Sequence, residues 1–129
     1  ETDAWGHGGR YDNLLNAAHR VDDYARQIWE TVQSLPEYRD KTTLILTTDH
    51  GRGSAPKEWK SHGVKIDGSE NIWMAVIGPD TPALGERTNT ARLEQNQIAA
   101  TLAALLGEDY HEAVPKSGAV IEDALPKKK

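Results

Sequence analysis

The strongest constraint on the fold is a change of hydrophobic period at Leu35-Pro36. Before it, Leu14, Leu15, Ala18, Val21, Ala25, Ile28, Trp29 and Val32 recur every three or four residues, the spacing that lines one face of a helix. Asp22, Asp23, Arg26, Gln27 and Glu30 fill most of the opposite side, so the pattern predicts an amphipathic helix over Tyr11–Leu35. Pro36 stops it, because the residue before a proline avoids the α region. Beyond the proline, Thr43–Thr48 is a short apolar run rich in β-formers and is expected as a buried strand.

The second half repeats the change in reverse order. Residues 51–71 contain Gly51, Gly53, Pro56, Gly63 and Gly68 among polar side chains, which reads as a long loop. Loops of that length are uncommon in compact domains and often carry function. Ile72–Ile77 is a second apolar strand, stopped by Gly78-Pro79, and Asn89-Thr90 offers a cap for a helix over Ala91–Leu106 that Gly107 ends. Helix, strand, loop, strand and helix in that order predict an α/β fold, a layered sheet with flanking helices. From His111 to Lys129 no period is visible, so residues 111–129 are expected as a weakly structured tail, with Lys127–Lys129 as a solubilising end.

A length of 129 residues suits a single domain or a fragment of a larger one. The first residue is Glu1 rather than Met, which reads as a processed chain or a fragment of something longer. The net charge of −5 argues against nucleic acid or an anionic membrane surface as a partner. No apolar run approaches the roughly 18 residues of a membrane span. The absence of cysteine excludes disulfides and thiolate metal sites and leaves the compartment open.

Chemistry concentrates where Asp or His meets glycine outside the regular elements. The segments are "ETDAWGHGG" with Asp3 and His7, "TTDHGRG" with Asp49 and His50, and "WKSHG" with His62. Carboxylate and imidazole together suit a divalent cation such as zinc or manganese. Asp3 and His7 are four residues apart and meet if both sit on one helical turn. Asp49 and His50 cannot share a side within a strand, since side chains alternate, but they diverge if the strand ends there, and Gly51 eases that ending. In open α/β sheets the ligand crevice lies outside the carboxyl ends of the strands, where this pair falls. Each segment alone is also what a solvated loop would contain; their order is the informative feature.

That order, DxxxH, then a strand running into DHG, then a further HG, resembles the metal ligands in the C-terminal half of the alkaline phosphatase superfamily. Cofactor-independent phosphoglycerate mutases and nucleotide pyrophosphatase/phosphodiesterases belong to it. The resemblance extends over nearly the whole chain, including the final "QIAATLAALLG" helix. It implies the C-terminal part of an alkaline-phosphatase-like fold and two divalent cations, zinc or manganese. Asp3, His7 and His62 would hold one cation, and Asp49 and His50 would contribute to the other. The implied activity is hydrolysis or transfer of a phosphoryl group from a small phosphate ester. Sulfatases of the same superfamily hold one calcium through oxygen ligands, and three histidines at motif positions favour the two-metal branch.

The resemblance also implies a further Asp and a Ser/Thr nucleophile N-terminal to the matched region, so the chain's expected partner is a missing N-terminal half of the fold. Ser54, Ser61 and Ser69 lie outside the family's nucleophile context and read as solvated loop serines. The alternative is a non-catalytic metal-binding domain, or a fragment that needs a separate nucleophile-bearing chain. Arg52 and Arg10 flank the motifs as candidate forks for phosphate oxygens, or as solvated arginines. Trp5 and Trp59 either line a cleft or pack under the loop. His19 reads as structural or solvated, and His111 receives no role.

Overall fold

The computed structural model describes residues 1–126, so the Lys127–Lys129 reading lies outside the described residues. The chain groups into two compact units, Glu1–Ala75 and a second from Val76 onward. Its elements are mixed α and β, as the change of period predicts.

In the first unit, α1 (Thr2–His7) and α2 (Tyr11–Ser34) pack together. The turn between them is a Schellman end to α1: Gly9 N–H donates to Gly6 O at 2.9 Å and Arg10 N–H to Trp5 O at 3.0 Å. Gly9 takes φ +66°, a conformation glycine adopts without steric cost. The second helix ends one residue before the Leu35-Pro36 boundary, with Leu35 extended as the proline requires. Its apolar face is only partly covered. Ala17 is buried, whereas Leu15, Val21, Tyr24 and Ile28 remain exposed.

Strands β1 (Leu44–Thr47) and β2 (Met74–Ile77) form a two-stranded antiparallel sheet. Thr47 Oγ1 donates to Trp73 O at 2.8 Å, tying the end of β1 to the start of β2. The expected buried strand is corrected here: Leu44, Ile45 and Leu46 are half-buried and Thr47 is exposed. A sheet of two short strands offers too little neighbouring surface to bury either one.

The 51–71 segment holds no helix or strand, yet it is closed by its own hydrogen bonds. Gly51 N–H donates to Ser69 O at 2.7 Å, Gly53 N–H to Ser61 O at 3.1 Å and Ser54 N–H to Asp67 O at 3.0 Å. Of the three serines expected as solvated, Ser61 is exposed, whereas the hydroxyls of Ser54 and Ser69 are engaged. Ser69 is buried and its Oγ accepts from Gly63 N–H at 3.2 Å, while Ser54 Oγ donates to the Asp67 carboxylate at 3.1 Å.

In the second unit, α3 spans Ile98–Leu105, preceded by a 3-10 turn over Gln95–Gln97. The expected start near Asn89-Thr90 is corrected to Glu94, because Glu94 and Gln97 exchange side-chain to main-chain bonds as a capping box. Gly107 ends the helix as expected, at φ +83°. Glu108 N–H donates to Ala103 O and Gly107 N–H to Ala104 O, a second Schellman motif.

The aperiodic segment after His111 also departs from expectation. Within its described residues, α4 (Tyr110–Ala113) reaches into the segment and a 3-10 turn covers Glu122–Ala124. Ile121 and Ala124 are buried. The buried Thr101 hydroxyl donates to Gln97 O at 2.8 Å and accepts from Ile121 N–H at 3.0 Å. Isolated anchors of this kind leave no periodic trace. Among the described residues no helix is long and apolar enough to cross a membrane.

Candidate metal centre

Three places far apart in sequence meet along one side of α1. The helix presents Asp3 and His7 on consecutive turns, as the i, i+4 spacing requires. The end of β1 delivers Asp49 and His50. The hydrogen-bonded loop returns His62 to the same place through the Gly53–Ser61 bond.

The ligand atoms of Asp3, His7 and His62 lie within 4.8 Å of one another. Asp3 Oδ1 is 3.5 Å from His7 Nε2 and 3.5 Å from His62 Nε2, and the two Nε2 atoms are 3.1 Å apart. Tetrahedral zinc with ligands at about 2.0–2.1 Å sets neighbouring ligand atoms about 3.3–3.4 Å apart. The observed edges bracket that value, so the three residues fit a single cation with a fourth position left for another ligand.

His50 adjoins this group. Its ring stacks on His62 with centroids 3.7 Å apart and planes 15° from parallel, and its Nε2 lies 3.7 Å from Asp3 Oδ1. Its Nδ1 is 2.8 Å from Gly51 O. A carbonyl only accepts, so Nδ1 carries the hydrogen and neutral His50 keeps its lone pair on Nε2. Asp49 lies at the rim with its side chain 89% exposed and Oδ1 3.9 Å from His50 Nε2. Gly51 allows the tight turn below the pair: a Cβ there would lie 2.6 Å from Gly68 O and closer still to Asn71 O.

The two arginines differ. Arg10 is exposed and forms a bidentate pair with Asp12, whose carboxylate raises the guanidinium further above its usual value. Arg52 is drawn inward, its side chain 18% exposed, and donates to Asp3 rather than to solvent. Trp59 packs edge-on against Tyr11 with centroids 5.6 Å apart, so it supports the loop against α2. His19 is exposed on α2, in keeping with a solvated residue.

The Arg52–Asp3 contact is absent from the sequence reading. A signal for it exists in Gly6, a glycine inside a helical turn where alanine would be better by about 1 kcal/mol. Such a glycine marks a close approach. No family model, curated protein or solved structure matches the chain.

Proposed function

We propose that this chain supplies metal ligands to a phosphoric ester hydrolase or phosphotransferase of the alkaline phosphatase type. The observation that carries the reading is the convergence of Asp3 Oδ1, His7 Nε2 and His62 Nε2 at edges of 3.1 to 3.5 Å. Zinc or manganese fits this donor set, with one carboxylate oxygen and two imidazole nitrogens. Asp49 and His50, at the adjoining rim, are the proposed contribution to a second cation. When bound, such cations stabilise negative charge on the oxygens around phosphorus.

The chain's own residues have definable tasks in this reading. Asp3 brings a carboxylate oxygen to a cluster of imidazole nitrogens. The Gly51 carbonyl fixes the His50 tautomer so that Nε2 remains a ligand. The nucleophile is proposed to come from polypeptide outside this chain, since Ser54 and Ser69 are engaged with Asp67 and Gly63. The layered, alkaline-phosphatase-like architecture belongs to the same proposal. Exposed Val21, Tyr24 and Ile28 on α2 and exposed Trp73 beside β2 are apolar surface that a larger sheet would cover.

A second reading, a metal-binding domain without catalysis of its own, is favoured by those same serine hydrogen bonds. Elemental analysis of the purified chain after zinc or manganese loading tests the metal site, with Asp49→Ala and His62→Ala as controls. Bound metal in wild type and its loss in His62→Ala is the expected result. Metal-free wild type would sink both readings. Turnover of p-nitrophenyl phosphate only when a nucleophile-bearing segment is present supports the enzyme; no turnover in that longer polypeptide leaves the binding domain.

A further inference from the structure

Arg52 sits where a side chain on α1 would otherwise be. A Cβ built on Gly6 would lie 2.6 Å from Arg52 Nη2 and 2.7 Å from Nε, inside van der Waals contact. Nη2 donates to the Asp3 main-chain carbonyl at 2.7 Å and also to Asp3 Oδ1. Nη1 donates to Trp59 O at 3.4 Å. The guanidinium therefore links the helix carrying two ligands to the loop that carries the third.

We propose that Arg52 is a positioning residue that aims Asp3 Oδ1 at the metal site, and that Gly6 is glycine to admit it. The proposal rests on the metal-binding reading of Asp3, His7 and His62. The oxygen that Arg52 holds is the one 3.5 Å from both His7 Nε2 and His62 Nε2. A carboxylate on a free rotor samples several orientations; a cationic donor on the same oxygen, anchored also to the main chain, removes most of them. Arg52 is thus not the fork for substrate phosphate, because its Nη2 is already taken up by Asp3. A lysine keeps the charge but cannot bridge the carbonyl and the carboxylate in one plane.

The test is zinc affinity of the 129-residue chain, measured by competition with a chromogenic chelator, with far-ultraviolet circular dichroism as the check on folding. Arg52→Met is expected to weaken zinc binding roughly 10- to 100-fold, the range for outer contacts to metal ligands. Arg52→Lys should fall between that variant and wild type. Gly6→Ala, which leaves the arginine present but displaces it, should weaken binding as Arg52→Met does. Arg87→Ala, which loses only a surface pair with Asp123, should bind as wild type does. If Arg52→Met fails to fold, Gly6→Ala and Arg52→Lys decide the matter. Wild-type affinity in a folded Arg52→Met or Gly6→Ala protein overturns the positioning role while the metal site stands. Zinc binding absent from wild type overturns the metal site and this proposal together.

Discussion

The Nε2 atoms of His7 and His62 lie 3.1 Å apart although 55 positions separate the residues. Two neutral imidazoles face each other at that distance only if one donates a hydrogen or both lone pairs serve a shared cation. In the proposed metal site a shared cation fills that role, with the Asp3 carboxylate 3.5 Å from each nitrogen as the third ligand.

Removing any one of the three should therefore be severe. Asp3→Ala, His7→Ala and His62→Ala are each expected to lower zinc affinity by more than the roughly 100-fold an outer contact carries. Isothermal titration with zinc reads this directly, and three variants that still bind like wild type would exclude the site.

Asp49 behaves differently in this geometry. It lies at the rim, 3.9 Å from His50 Nε2, and outside the group of three. Asp49→Ala should leave the first equivalent of zinc bound at near wild-type strength and abolish any second equivalent. Stoichiometry from elemental analysis distinguishes this from loss of both.

In the second unit, Thr101 is fully buried and accepts from Ile121 N–H. Valine has the same shape without the oxygen, so Thr101→Val strands that amide. The cost should be about 1–3 kcal/mol, the usual penalty for an unsatisfied buried donor. Urea denaturation followed by circular dichroism measures it, and a stability equal to wild type would mean that the Ile121 segment is not held through this hydroxyl.

On the surface of α2, Arg26 donates to Asp23 and holds its carboxyl below the usual aspartate range, with Gln27 adding to the effect. A lowered carboxylate stabilises the fold above its unfolded pKa, near 3.9 for ordinary aspartate, and that contribution fades as pH falls through the folded value. The Asp23 carboxyl carbon followed by nuclear magnetic resonance should titrate below an ordinary aspartate. Arg26→Ala should move it back up, and an unmoved midpoint would show that the pair is not formed in solution.

Local order was largely legible in the residues. The 3.6 period and Pro36 fixed the second helix to within one residue of its observed end, and Gly107 marked the close of the third. The strands were visible as apolar runs, but their degree of burial was not, because burial depends on what packs against them. The cap at Glu94 is hard to read from sequence because Asn89-Thr90 is the stronger local signal and the capping box needs the Gln97 side chain to turn back. Ile121 and Ala124 gave no sign, since a segment anchored at single points has no period to detect.

The sequence by itself determined which residues are candidates to ligate a cation: two carboxylates, and three imidazoles that each precede a glycine. Its four-residue spacing brings Asp3 and His7 together only on a helical turn, and the structure supplies that turn as α1. Only the tertiary structure decided that His62 joins them, that His50 stacks beside it and that Arg52 reaches under Gly6 to hold Asp3. Those three facts depend on a loop closed by its own main-chain hydrogen bonds, and no local pattern specifies where such a loop returns.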